Sequence, residues 1–358
     1  MNAATAKVYR AGLGLSCLGL LLAGLTAQRS AAPGGSPALA GLAALPLLVL
    51  AARPPLQAVV RRAPALFGLG VLATCLPFLQ YGVRGTHRWL YLGRYSVQPV
   101  EFLKVALVLV LAWGLGRSEQ PRGPREAALL GGLVGAALLP VLLSPDLGTA
   151  LVLALVAATM LALERFTPGA RALAALVVVV GGPLFARFGL RPYQKARVAH
   201  FLAGDDPLGA GYQGEQALRL VASGGPLGEG LGSWAGLEAH PLPEASSDFI
   251  LAVWGHETGF LGVAALLCGL ALVVGLLLRV AAAASTPAAR RVATGVAALL
   301  FWQSTLNVSM VLGLLPVVGV PLPLISRGGS ALAACALALA LGWAATRDEP
   351  PQRSPASP

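Results

Sequence analysis

Long apolar runs alternate with short basic or Gly/Pro-rich segments along almost the whole chain. A helix needs about 17–25 mostly apolar residues to cross a bilayer. On that measure the pattern predicts ten spans, at 11–27, 36–52, 63–83, 99–116, 124–143, 147–163, 170–188, 248–278, 289–313 and 328–346. The predicted class is an all-α polytopic membrane protein. The fifth and sixth spans are close enough to require a tight turn at Ser144-Pro145-Asp146. The eighth is too long for one straight helix, so it is expected to tilt or to break near Gly255 or Gly259. Before the tenth, Pro316, Pro321 and Pro323 rule out a regular helix. Irregular backbone at membrane depth survives only when buried in protein or lining a cavity. One large loop, about 189–247, lies between the seventh and eighth spans. Its amphipathic stretch "EQALRLVA" is expected to lie on the membrane surface. Residues 1–346 read as one integral-membrane domain and 347–358 as a disordered tail.

Composition narrows the class. Of the 358 residues, 56% are apolar and 11% charged, against about 25% charged in soluble domains. The net charge of +11 would suggest nucleic acid as a partner of a soluble protein. Here the basic residues cluster between apolar runs, so they set orientation instead, and no nucleic-acid partner is expected. With the amino terminus inside, every short inner loop is basic, among them those holding Arg61 and Arg62, Arg122 and Arg125, and Arg290 and Arg291. Both termini then face the cytoplasm and the large loop faces out. The first run is expected to be an uncleaved helix rather than a signal peptide, because similar spans follow. Cys17, Cys75, Cys268 and Cys335 each lie in an apolar run and are expected to be small buried residues. No CxxC pair or Cys/His cluster suggests zinc or iron–sulfur binding. "GGPLGEGLG" lacks the GK[ST] and strand–helix context of a nucleotide-binding loop.

Most of the 15 acids fall in loops. Glu101, Asp146, Asp248 and Glu257 do not, and Glu164 sits at a span edge on the inner side. A charge in a span is costly, so it marks either a functional site or a paired structural charge. Glu101 and Lys104, three apart after Pro99, share a helix face and either neutralise one another or orient a nearby group. Asp146 and Asp248 each stand at a helix start and could simply be caps. At Asp248 the helix terminus favours the anion, whereas burial raises the pKa. Glu257 lies roughly 13 Å down a straight helix from Asp248, so the two do not form an adjacent pair. His256 and Glu257 are expected to support the helix break.

Five motifs together resemble a known family. They are "GTHRWLYLGRYSVQPVEFLKVALVL", "SPDLGTALVL", "RPYQKARVAHFL" with "DPLGAGYQGEQALRLVASGGPLGEGLG", "LPEASSDFILAVWGHETGFLG" and "GLLPVVGVPLPLISRGGSAL". In this order they are similar to the signatures of the SEDS family, which comprises RodA, FtsW and SpoVE. Departures from the family pattern are Val100, Ser246-Ser247, His256 through Gly259, and Arg327. The resemblance implies ten transmembrane helices and a multi-pass peptidoglycan glycosyltransferase of the cytoplasmic (inner) membrane. Such an enzyme polymerises lipid II on the outer face. The implied essential acid is Asp248, accompanied by Glu101, Lys104 and Asp146. "LPEA" at 242–245 leans toward the division-type branch, FtsW, over the elongation type.

The chemistry implied is attack by a sugar hydroxyl on an anomeric carbon carrying undecaprenyl pyrophosphate. A carboxylate can take the hydroxyl proton. The leaving pyrophosphate needs positive charge, for which Arg88, Lys195, Arg197 and Arg327 are candidates, or a divalent cation such as Mg or Mn. The implied partners are lipid II, membrane lipids and a class B penicillin-binding protein. Two other readings stay open. One is a flippase for lipid-linked precursors, which would carry charges along a path across the membrane. The other is a non-catalytic scaffold for a transpeptidase.

Overall fold

The computed structural model describes residues 3–32, 53–80, 87–93, 95–116, 120–203, 210–236 and 242–347. The expected second span, 36–52, and the tail beyond Arg347 lie outside the described residues. The helices are α1 (Ala3–Ala31), α2 (Leu56–Arg61), α3 (Ala63–Cys75, prolonged by one 3₁₀ turn, Leu76–Leu79), α4 (Pro99–Leu115), α5 (Pro124–Leu143) and α6 (Leu147–Ala162). They continue as α7 (Pro168–Gly189), α8 (Pro192–Ala203), α9 (Ala210–Ser223), α10 (Ile250–Ala283), α11 (Pro287–Val311) and α12 (Gly329–Ala345). By length and apolarity, α1, α5, α7 and α10 are each able to cross a membrane, and α3, α6 and α12 are shorter apolar helices.

The helix starts follow local chemistry. Proline occupies the first turn of α4, α5, α7 and α11, where its missing N–H is not needed. Thr167 and Thr286 cap α7 and α11 by accepting from Ala170 N and Ala289 N. The Asp146 carboxylate caps α6, accepting from Thr149 N at 3.2 Å and from Thr149 Oγ1 at 2.9 Å.

α4 is the central helix, buried on nearly every face between Pro99 and Leu115. It packs against α3, α5, α6, α11 and α12. Small residues allow the close crossings. A methyl group at Gly295 of α11 would meet Val108 Cγ1 of α4 at 2.5 Å and Met160 Sδ of α6 at 2.8 Å. By contrast, α7 leaves most of its length exposed, and Val177–Gly181 and Phe185–Gly189 wind as π turns. At the end of the bundle formed by the starts of α5, α7 and α11, Glu164 is clamped between Arg122 Nη1 at 3.0 Å and Arg291 Nε at 2.5 Å.

Two expectations need correction. The chain is mostly helical but not all-α, because Leu90–Leu92 (β1) and Tyr95–Val97 (β2) form an antiparallel hairpin. Aromatic and β-branched residues there suit a pleated ribbon, and Gly93 at φ 63° makes the turn. The large loop holds α8 and α9, the second of which contains the amphipathic stretch "EQALRLVA" and packs on α10. Of the four cysteines, Cys17 and Cys335 are buried but Cys75 and Cys268 are exposed. Both of these lie on outward-facing helix surfaces, where an apolar run contacts its surroundings rather than a core.

The break in α10 falls at Gly259, with φ 64° and ψ −165°. That conformation is open to glycine and strained for other residues. The freed backbone is taken up by the segment after α9. Glu229 N donates to His256 O at 3.0 Å, Gly230 N to Glu257 O at 3.1 Å, and Phe260 N to Gly225 O at 2.8 Å. The stretch after the break, 260–283, is long enough by itself to cross a bilayer.

Candidate active site

Asp248 lies in the turn that precedes α10, which starts at Ile250. The position before the helix is filled by Phe249, and no side chain caps it, so the capping role open to Asp248 is not the one observed. Three successive carbonyls hold this turn instead. Arg327 N donates to Ser246 O at 2.8 Å, Ser326 Oγ to Ser247 O at 2.6 Å and Asn307 Nδ2 to Asp248 O at 2.7 Å. The backbone is therefore pinned to α11 and to the irregular segment 312–328. The Asp248 carboxylate itself accepts no hydrogen bond and joins no ion pair among the described residues. It rests against Gly319, where a Cβ would lie 3.2 Å from Asp248 Oδ2. Gly319 also has φ 69°, so the turn and the close approach both call for glycine.

The electrostatics follow from this arrangement. Burial pushes the Asp248 carboxyl up from the usual 3.8 to about 7, with Glu244 and Asp146 adding to the rise and Arg88 opposing it. Arg88 Nη1 lies 3.7 Å from Asp146 Oδ1. The same guanidinium donates to Pro145 O at 2.5 Å and to Ser144 O at 3.4 Å. Tyr193 and Gln194 of α8 also donate to Pro145 O, at 3.2 and 3.5 Å. The tight turn before α6 is thus fastened to both Arg88 and α8.

The remaining residues expected from the sequence are placed as follows. Glu101 and Lys104 are buried and paired at 2.8 Å, and Lys104 Nζ also donates to Gln303 Oε1 at 2.9 Å. Arg197 Nη1 donates to Val317 O at 2.5 Å, which ties α8 to segment 312–328. Lys195 Nζ turns back to Arg187 O at 2.6 Å. Arg327 is exposed, and its guanidinium meets no partner among the described residues. Among the described residues, no group of three or more His, Cys, Asp or Glu side chains converges to hold a metal ion. Glu257 belongs to a separate cluster. Its Oε1 accepts from Gly232 N at 3.0 Å, from Trp234 N at 3.3 Å and from Ser30 Oγ, while His256 Nδ1 meets Ser223 Oγ at 2.9 Å. Gln303 and Asn307 did not stand out in the sequence, although two amides in an apolar run were a signal of the same kind as the charges.

A bundle of apolar helices that holds a half-buried carboxylate with no partner among the described residues, a second acid on a guanidinium and a buried ion pair is the arrangement of a multi-pass membrane protein. The chain belongs to the FtsW/RodA/SpoVE family: the family model described as "Cell cycle protein" matches residues 37–348. It is 37% identical over 250 residues to the peptidoglycan glycosyltransferase MrdB of Escherichia coli K12, covering 70% of this chain and 68% of that one. It is also 37% identical over 284 residues to the probable peptidoglycan glycosyltransferase FtsW of Thiomicrospira cyclica, covering 77% and 72%. Among solved structures, it resembles a chain of a peptidoglycan synthase complex that coordinates polymerization and crosslinking, with a TM-score of 0.79, 28% identity and coverage of 94% and 97%. The rod shape determining protein RodA of Thermus thermophilus matches with a TM-score of 0.67, 26% identity and coverage of 94% and 96%.

Proposed function

We propose that this chain is a peptidoglycan glycosyltransferase that polymerises lipid II at the outer face of the cytoplasmic membrane, with Asp248 as general base. The observation that carries this assignment is the Asp248 carboxylate, unpaired yet held on a pinned backbone, with its pKa raised to about 7. A base poised near the operating pH accepts a proton most effectively. In this reading Asp248 takes the proton of the acceptor GlcNAc 4-hydroxyl as its oxygen attacks the donor MurNAc anomeric carbon. The bond to the undecaprenyl pyrophosphate breaks, and inversion gives the β-1,4 link. Positive charge placed beside the departing pyrophosphate lowers the barrier. Arg327 is the best placed of the four proposed cations, because its guanidinium is free among the described residues while its backbone is bonded to Ser246. Arg88 and Arg197 are largely engaged in holding the turn before α6 and segment 312–328. Asp146 and the Glu101–Lys104 pair support the site by orientation.

The two termini are proposed to lie in the cytoplasm, which puts the Asp248 turn, α8 and α9 outside. A class B penicillin-binding protein is the proposed partner, consistent with the two-activity complex among the structural relatives. The test is polymerisation of lipid II by the purified full chain, with and without that partner, comparing wild type with Asp248→Asn. Glycan strands from wild type and a loss of about 10²–10⁴-fold in a folded D248N support the assignment. Equal strands from both remove Asp248 from the chemistry. No strands from wild type in either condition favour a scaffold or a flippase.

A further inference from the structure

Segment 312–328 runs beside Asp248 without a helix or strand to satisfy its carbonyls. Side chains from the surrounding helices do so instead. Gln28 of α1 donates to Ile325 O at 2.7 Å, Arg197 of α8 to Val317 O, and two amides of α11 to the carbonyls between them. Asn307 is wholly buried, and its Nδ2 donates to Asp248 O and to Val320 O, each at 2.7 Å. An amide nitrogen carries two N–H donors, so both are engaged. One turn earlier on the same helix face, Gln303 Nε2 donates to Pro321 O at 3.0 Å and Gln303 Oε1 accepts from Lys104 Nζ at 2.9 Å. Lys104 is in turn paired with Glu101.

A continuous polar chain results: Glu101, Lys104, Gln303, the Val320–Pro321 backbone, Asn307, then Asp248. Gly319, which touches the Asp248 carboxylate, is the residue before Val320.

We infer that Gln303 and Asn307 are positioning residues, Asn307 fixing Asp248 and Gln303 tying segment 312–328 to the Glu101–Lys104 pair. The inference rests on the reading of Asp248 as the reacting carboxylate. It explains how a buried ion pair on α4 serves a carboxylate that it does not touch. Losing either amide would strand carbonyls in an apolar setting and free the segment to shift. A displacement near 1 Å at a reacting group is enough to cost on the order of 100-fold in rate.

The test uses the purified full chain with its transpeptidase partner and lipid II. Asn307→Leu and Gln303→Met keep the side-chain bulk and remove the hydrogen bonds. Hydrogen exchange over 317–325 is expected to speed up in both. Turnover is expected to fall about 10- to 100-fold with KM changed by less than about threefold, as for a group acting in the transition state rather than in uniform binding. Unchanged exchange, or turnover within about twofold of wild type, overturns the inference. If N307L does not purify as a folded protein, Q303M decides, since it acts at the end of the chain remote from Asp248. Asp248→Asn is run alongside. Full polymerisation by D248N sinks the general-base reading, whereas unchanged exchange in Q303M sinks the positioning one, so the two failures are told apart.

Discussion

At the scale of single residues, two acids that look alike in the sequence take different roles. Asp146 is consumed as a cap and by Arg88, while Asp248 is left without a partner among the described residues and is raised to about 7. Polymerisation is therefore expected to fall about tenfold per pH unit below 7 and to level off above it, in a profile of initial rates. Stability has the opposite sign. Between 3.8 and about 7 the folded protein keeps a proton that the unfolded chain has lost, so lowering the pH through that window favours the fold while it silences the base. A thermal melt series across the same range checks this, and D248N is expected to lose the dependence. Gly319→Ala puts a methyl at φ 69° and 3.2 Å from Asp248 Oδ2. It is expected to cost about 1–3 kcal/mol of stability and to cut turnover while leaving partner binding intact, read by melting and by co-purification.

At the scale of elements, the break in α10 joins three parts of the chain. Gly259 turns the helix, and the segment after α9 fills the opening, with Glu257 accepting from Gly232, Trp234 and Ser30. The sequence signalled from length alone a tilt, or a break near Gly255 or Gly259, and the geometry shows a break at Gly259. Glu257 joins α1, α10 and the segment after α9, and His256 meets Ser223. Glu257→Ala would take this acceptor from two buried donors, the Trp234 N–H and the Ser30 hydroxyl. The expected loss is about 1–3 kcal/mol for each, seen as a lower melting temperature and faster exchange over 224–236. Glu257→Gln, which keeps an acceptor oxygen, is expected to lose much less.

At the scale of the whole molecule, the charges gather in separate groups rather than along a path. Asp248, Asp146 and Arg88 form one, Glu101 and Lys104 another, and Glu257 a third on the segment after α9. Glu164, Arg122 and Arg291 close the opposite end of the bundle, where α5, α6 and α11 meet. This grouping suits a local reaction better than passage of a charged head group. Because Arg122 and Arg291 are both buried, Glu164→Ala would remove the carboxylate that both guanidinium groups pair with. It is expected to destabilise the protein by about 3–5 kcal/mol, measured by thermal unfolding in detergent, with little change in turnover per folded molecule.

The sequence by itself determined the helical membrane class, the family, and most helix ends to within a few residues. Apolar length and prolines in first turns act locally, so a linear pattern carries them. The turn at 144–146, the irregular segment before α12 and the identity of the unusual acids were legible for the same reason. The hairpin at 90–97 was readable only from short β-prone runs beside Gly93, and the helical periodicity of its surroundings hid it. Which acid is held and which is free was decided partly along the chain, where Thr149 offers Asp146 a backbone N–H and a hydroxyl, and partly by tertiary structure. The tertiary part of the difference is what α11, Arg88 and segment 312–328 bring against them. The same holds for Gln303 and Asn307. Their hydrogen bonds cross from one helix to backbone elsewhere in the chain, and a contact of that kind leaves no periodic mark in the sequence.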